Sequence, residues 1–146
     1  MKYTLYFDGG ASPNPGLASC AFKVEDNNGD IILEGAWAMG GLHSNNEAEW
    51  EAATIGLDLF IDKYADHAGS ITIIGDSELV IRQMSGEYRV NKGHLKKYHR
   101  VVSKLIKDNP SISFMFRHIK RDFNNDMDIA CKEVRNSKPR YVGIYN

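Results

Sequence analysis

The chain has 146 residues, 42% of them hydrophobic and 25% charged, with a formal net charge of -1. That is the profile of one ordinary soluble domain spanning 1–146, long enough to bury about two thirds of the surface its unfolded chain exposes. The aliphatic-rich run Ile71 to Ile74 is four residues long, far short of the roughly 18 that a membrane span needs. Met1 and Lys2 lead straight into an alternating pattern that ends at an acid, with no apolar signal core. The expectation is a cytoplasmic monomer with no membrane partner. Cys20 and Cys131 lie far apart and form no C-x-x-C pair, which argues against zinc or a disulfide framework and for two small buried thiols. The near-zero charge conceals an asymmetry: residues 1–75 hold 3 basic and 11 acidic side chains, residues 76–146 hold 15 and 8. A second half this basic suits a polyanionic partner, although solvated helix faces carry such charge too.

Tyr3 to Phe7 reads Y-T-L-Y-F and stops at Asp8-Gly9-Gly10, which predicts a buried strand delivering an acid to a glycine turn. After a loop from Ala11 to Leu17, Ala18 to Glu25 predicts a second strand. Asn27-Asn28-Gly29-Asp30 then turns the chain into an antiparallel third, Ile31 to Met39. From Asn46, residues Ala48, Ala52, Ile55, Leu59 and Phe60 recur at helical spacing to about Tyr64, with Asn45 or Ser44 as cap. Ser70 to Gly75 predicts a buried strand ending at Asp76, and Ser77 to Met84 a short helix. A basic amphipathic helix follows over about Lys92 to Lys107. Ile112 to His118 alternates like a strand, and Asn124 to Asn136 forms the last helix. This order joins a hairpin half to a crossover half, giving an α/β domain with one mixed sheet flanked by helices.

Four carboxylates occupy special places in that layout. Asp8 and Asp76 end strands, Glu49 lies one turn into the first long helix, and Asp128 near the start of the last. The carboxyl ends of neighbouring strands face the functional crevice of an α/β sheet, so these acids can meet. A self-repelling cluster of hard oxygen ligands points to Mg²⁺ or Mn²⁺. Taken one at a time, each of the four also reads as a turn residue or a solvated helix acid.

Four segments, in order, change that balance: Phe7-Asp8-Gly9-Gly10-Ala11-Ser12-Pro13-Asn14-Pro15-Gly16, Ser44-Asn45-Asn46-Glu47-Ala48-Glu49, Ile73-Ile74-Gly75-Asp76-Ser77 and Asn124-Asn125-Asp126-Met127-Asp128-Ile129-Ala130. Together they closely resemble the type 1 ribonuclease H family over essentially the whole chain. The Gly86-Glu87-Tyr88-Arg89-Val90 stretch resembles the compact branch that lacks an extra basic handle helix. The resemblance implies a five-stranded mixed sheet of order 3-2-1-4-5. It also implies hydrolysis of the RNA strand of an RNA/DNA hybrid with two Mg²⁺ ions, Mn²⁺ being possible, and 5′-phosphate and 3′-hydroxyl products.

By the same resemblance, Asp8, Glu49, Asp76 and Asp128 are catalytic and metal-binding, with Asp8 shared between the two ions. Glu47, Glu51 and Asp126 are competing choices; the family's N-N-x-x-E and N-x-x-x-D spacings select Glu49 and Asp128. Asn14, Asn45 and Asn46 match positions that touch ribose hydroxyls, where an amide offers both donor and acceptor. Ser44 keeps a hydroxyl where many members have a phosphate-contacting Thr. Pro13 departs from the usual Gly, and Glu78 from a common Gln. Lys92, Lys96, Arg100 and Lys104 repeat along one helix face, which assigns Lys96 and Arg100 to DNA-strand phosphates. The loop Lys120 to Phe123 has no His; His118 falls on the preceding strand, and His43, His67, His94 and His99 read as surface residues. Two other classes share the fold. A catalytically silent nucleic-acid-binding module would ordinarily have lost a carboxylate, and a DNA-directed nuclease would lack the Asn-rich segments.

Overall fold

The computed structural model describes residues 1–137, with side chains through Val134; the last part of the expected domain, 138–146, lies outside the described residues. Strands β1 (Lys2–Ser12), β2 (Gly16–Glu25) and β3 (Ile31–His43) form an antiparallel meander. Helix α1 (Asn45–Tyr64) crosses to β4 (Ser70–Gly75); α2 (Glu78–Met84) and α3 (Gly93–Asp108) lead to β5 (Ser113–His118). A 3-10 turn, Arg121–Asn124, precedes α4 (Asn125–Ser137), and another, Ala65–His67, follows α1. The sheet order is β3-β2-β1-β4-β5, with β1-β4 and β4-β5 parallel, as expected. Between α2 and β5 there is one helix, α3, in keeping with the compact branch. Among the described residues no helix is long and apolar enough to cross a membrane.

The first strand departs from the sequence reading. β1 does not end at Phe7 but runs to Ser12, because its ladder with β2 continues from Thr4↔Glu25 to Ser12↔Leu17. Its parallel ladder with β4 stops at Tyr6↔Ile74. Asp8 therefore sits inside a strand, two residues beyond the point where one neighbour has run out. β3 likewise extends past Met39 to His43, paired with Gly16. Ser44, not Asn45, caps α1: its hydroxyl accepts from the Glu47 N–H at 3.1 Å, and Glu47 Oε1 accepts the Ser44 N–H at 3.1 Å. This reciprocal pair satisfies two donors that a helix start leaves free.

One sheet face is covered by α1 and α3. Leu5, Phe7, Phe22, Leu33, Ile71 and Ile73 pack there with Trp50, Leu57, Phe60, Leu95 and Val102. The helical stripe differs in detail from the expected one, since Ile55 and Leu59 are only half-buried while Trp50, Ala53 and Leu57 are enclosed. Trp50 is affordable in the core because its Nε1–H donates to Gln83 Oε1 at 3.0 Å. On the other face α4 lays Met127, Cys131 and Val134 against Ala21 and Ala36. Both cysteines are buried, as expected.

Candidate active site

Glycine at position 9 sets the site. A Cβ there would fall 2.2 Å from the Ala48 carbonyl carbon and 2.5 Å from the Glu49 nitrogen, so its absence lets α1 lie directly on β1. That close approach brings Glu49 beside Asp8. Asp76 follows β4, just before Ser77 caps α2 through the Val80 N–H. Asp8, Glu49 and Asp76 each offer an oxygen, and the three lie within 4.8 Å of one another. The cluster opens into a cleft of about 390 Å³ whose lining includes Asn45, Asn46, Arg121, Asp128 and Lys132.

The electrostatics describe a site short of positive charge. Burial, reinforced by the charge of Asp76, pushes the Asp8 carboxyl up from 3.8 to about 7, against an opposing backbone hydrogen bond from Gly9. Glu49 is raised well above its ordinary value, by burial first and then by Asp8 and Asp76. Its Oε2 is buried without a hydrogen-bond partner, an arrangement that costs free energy unless something else satisfies it. A divalent cation fits this donor set: hard carboxylate oxygens, close together, one of them orphaned.

A family model described as reverse transcriptase-like matches residues 6–134. LC11-RNase H1, isolated from compost by a metagenomic approach, is 33% identical over 94% of this chain and 97% of its own, with a TM-score of 0.79. The chain belongs to the type 1 ribonuclease H family. A second structure of LC11-RNase H1, in complex with RNA/DNA hybrid, superposes with a TM-score of 0.84 at 30% identity, covering 93% of this chain and 98% of that one. Ribonuclease HI of Halobacterium salinarum is 31% identical over 131 residues, 88% of this chain, and the chain spans 62% of that relative's length.

Within this ribonuclease H fold the expected residues separate into groups. Asp128, in the first turn of α4, lines the same cleft but stands outside the three-carboxylate cluster; its Oδ2 is 3.1 Å from Lys132 Nζ. The competing acids are engaged elsewhere. Glu47 serves the α1 cap, Glu51 accepts from Trp37 Nε1 at 2.9 Å and the Tyr98 hydroxyl at 3.1 Å, and Asp126 pairs with Lys23 at 3.2 Å.

Asn45 and Asn46 line the cleft, Ser44 directly precedes them as the cap of α1, and Asn14 is bound to the backbone of Asn45. Asn14 Oδ1 accepts the Asn45 N–H at 3.0 Å, and Asn45 Oδ1 accepts the Ala11 N–H at 2.7 Å. These two contacts join α1 to the β1-β2 loop and to the end of β1, and they leave each amide its Nδ2 donors and a second lone pair on its oxygen.

Lys96 and Arg100 are exposed on α3 and lie outside the cleft lining, while Leu95, Tyr98 and Val102 face inward. Two histidines are not simple surface residues. His43 Nδ1 lies 3.0 Å from Glu47 Oε2 and its Nε2 2.5 Å from the Gly40 carbonyl, and His99 packs edge-on against Trp50. His118, at the end of β5, reaches the Asp76 backbone carbonyl at 3.2 Å. Three residues at the site went unassigned in the sequence. Arg121 and Lys132 carry no local signal, whereas Asn124 was visible as the first residue of the N-x-x-x-D spacing.

Proposed function

We propose that this chain is an endoribonuclease that hydrolyses the RNA strand of RNA/DNA hybrids, acting as a single-domain monomer in the cytoplasm. The observation that carries the reading is the trio Asp8, Glu49 and Asp76 within 4.8 Å of one another, with Glu49 Oε2 buried and unpartnered. The complex of LC11-RNase H1 with RNA/DNA hybrid supports the choice of substrate.

Asp8, Glu49, Asp76 and Asp128 would hold two divalent cations, Mg²⁺ or Mn²⁺, which when bound stabilise charge on the entering and departing oxygens of an in-line displacement at phosphorus. Asp8 would serve both ions, since it neighbours Glu49 and Asp76 and feels the charge of Asp128 as well. Arg121 and Lys132 bring positive charge to the rim of an acidic cleft and offset its repulsion of a phosphodiester. Asn14 and Asn45 donate through Nδ2 to ribose or base oxygens in the wide minor groove of the hybrid, and Asn46 adds a third amide. Ser44 retains its hydroxyl proton for a phosphate, and Lys96 and Arg100 track the DNA backbone.

Water attacking phosphorus in line expels the ribose 3′-oxygen, so products carry 5′-phosphate and 3′-hydroxyl ends. The 2′-hydroxyls serve recognition and take no part in bond breaking. Because Asn14 lies on the β1-β2 loop and Asn45 on α1, they read more than one ribose. A duplex series with one, two, four or more consecutive ribonucleotides tests this reading. Efficient cleavage is expected only with several, and efficient incision at a lone ribonucleotide, or 2′,3′-cyclic ends, contradicts it.

A further inference from the structure

We propose that Asn124 is a positioning residue for Asp76, and that the stretch from His118 to Asn124 forms a cradle fixing the carboxylate at the end of β4. The proposal rests on the cation-dependent reading above and adds a residue to it.

Asp76 lies beyond the last β4 residue and before the first of α2, a place where a chain ordinarily turns with freedom. Here it is held at three points by the segment that follows the neighbouring strand. The Ile119 N–H donates to the Gly75 carbonyl at 2.9 Å. His118 Nε2 lies 3.2 Å from the Asp76 carbonyl; a carbonyl only accepts, so the ring nitrogen is the donor. Asn124 Nδ2 lies 3.2 Å from Asp76 Oδ2 and 2.9 Å from the Phe7 carbonyl. The first two contacts fix the backbone and the third fixes the carboxylate.

The chemistry of the third contact is selective. Asn124 is 3% exposed, and one nitrogen serves two acceptors, one within β1 and one just past β4, which uses both protons of a primary amide. Asp at 124 would set a third acceptor against two others, and an apolar side chain would donate to neither oxygen. The amide spans the residue before Asp8 and the Asp76 carboxylate, so it sets their separation directly. The carboxylate held by Asn124 is the one that offers an oxygen within 4.8 Å of those of Asp8 and Glu49. Asn124 also immediately precedes α4 and therefore ties Asp128, one turn further on, to the same frame. Outer partners of this kind orient metal-binding carboxylates, and their loss typically weakens metal binding 10- to 100-fold.

The test is calorimetric titration of Mn²⁺ into the wild type, Asn124→Ala, Asp76→Asn and the double variant, without substrate. Tm in EDTA and circular dichroism report folding, and steady-state kinetics on hybrid supply kcat and KM. Asn124→Ala is expected to weaken Mn²⁺ binding about tenfold and to lower kcat at subsaturating cation while KM for hybrid stays near wild type. The double variant is expected to bind no more weakly than Asp76→Asn alone, because the amide acts through that carboxylate. Asn124→Ser, which keeps one donor, is expected to be intermediate and serves the same comparison should alanine prevent folding. A folded Asn124 variant with wild-type Mn²⁺ affinity overturns the positioning role, even if its Tm is lower. A wild type that binds no Mn²⁺ overturns the cation reading itself.

Discussion

Replacing Asp8 by Asn removes one charge from a cluster that repels itself, and its effect on stability can be worked from the structure. Asp8 is 6% exposed, and burial together with Asp76 raises its carboxyl from 3.8 to about 7. A carboxyl group whose pKa is higher in the folded than in the unfolded chain makes folding take up protons. Its penalty is absent at low pH, grows as pH climbs past about 4, and is complete above about 7. At roughly 1.36 kcal/mol per pKa unit the full penalty has an upper bound of ~4 kcal/mol, and relaxation of the site brings a realistic value nearer ~2 kcal/mol. Urea denaturation in EDTA should therefore find Asp8→Asn more stable than wild type at pH 8, and the gap should fall to half or less at pH 5. Adding Mg²⁺ should stabilise the wild type more than the variant, since bound cation supplies the missing charge. Equal stabilities in EDTA at pH 8, or a gap that does not shrink at pH 5, would refute the electrostatic argument.

Three further outcomes are expected. Gly9→Ala drives a Cβ to 2.2 Å from the Ala48 backbone, which should cost about 3 kcal/mol in urea denaturation and abolish cleavage by moving Glu49 away from Asp8. The imidazole of His43 is raised above its ordinary 6.5 chiefly by its hydrogen bond to Glu47; this stabilisation is full below that value and fades as pH rises through the folded one. Tm plotted from pH 6 to 8 should accordingly fall more steeply for wild type than for His43→Asn. Changing Lys96 and Arg100 together to Ala should weaken hybrid binding and flatten the slope of log affinity against log salt by about one unit per lost phosphate contact, measured by fluorescence anisotropy, with the cleaved strand unchanged.

Much of the layout was legible because it is written locally. The hydrophobic periods of Ile71 to Ile74 and of α3, the turn at Asn27 to Asp30 and the break before β5 all act within a few residues. Asp8, Glu49 and Asp76 were recognisable from their motifs, and a single close approach at Gly9 brings two of them together. What escaped depends on partners remote in sequence. Asp8 lies inside β1 because the β2 ladder outlasts the β4 ladder, a difference no local pattern encodes. Glu51 resembles a candidate ligand until Trp37 and Tyr98 arrive from β3 and α3 to occupy both its oxygens. The amides of Asn14 and Asn45 also hold the fold together, a role that depends on α1 packing against the end of β1 and the loop after it. Asn124 marked a spacing; its contacts with Phe7 and Asp76 depend on where the chain returns after β5.

The most direct test of the central claim is a cleavage assay on an RNA/DNA hybrid with each strand separately labelled, run with Mg²⁺, with EDTA, and with Asp8→Asn in Mg²⁺. The account predicts internal cuts in the RNA strand with 5′-phosphate and 3′-hydroxyl ends, seen only for the wild type with Mg²⁺, and an intact DNA strand throughout. Cleavage that persists in EDTA or in Asp8→Asn, or cutting directed to the DNA strand, would contradict it.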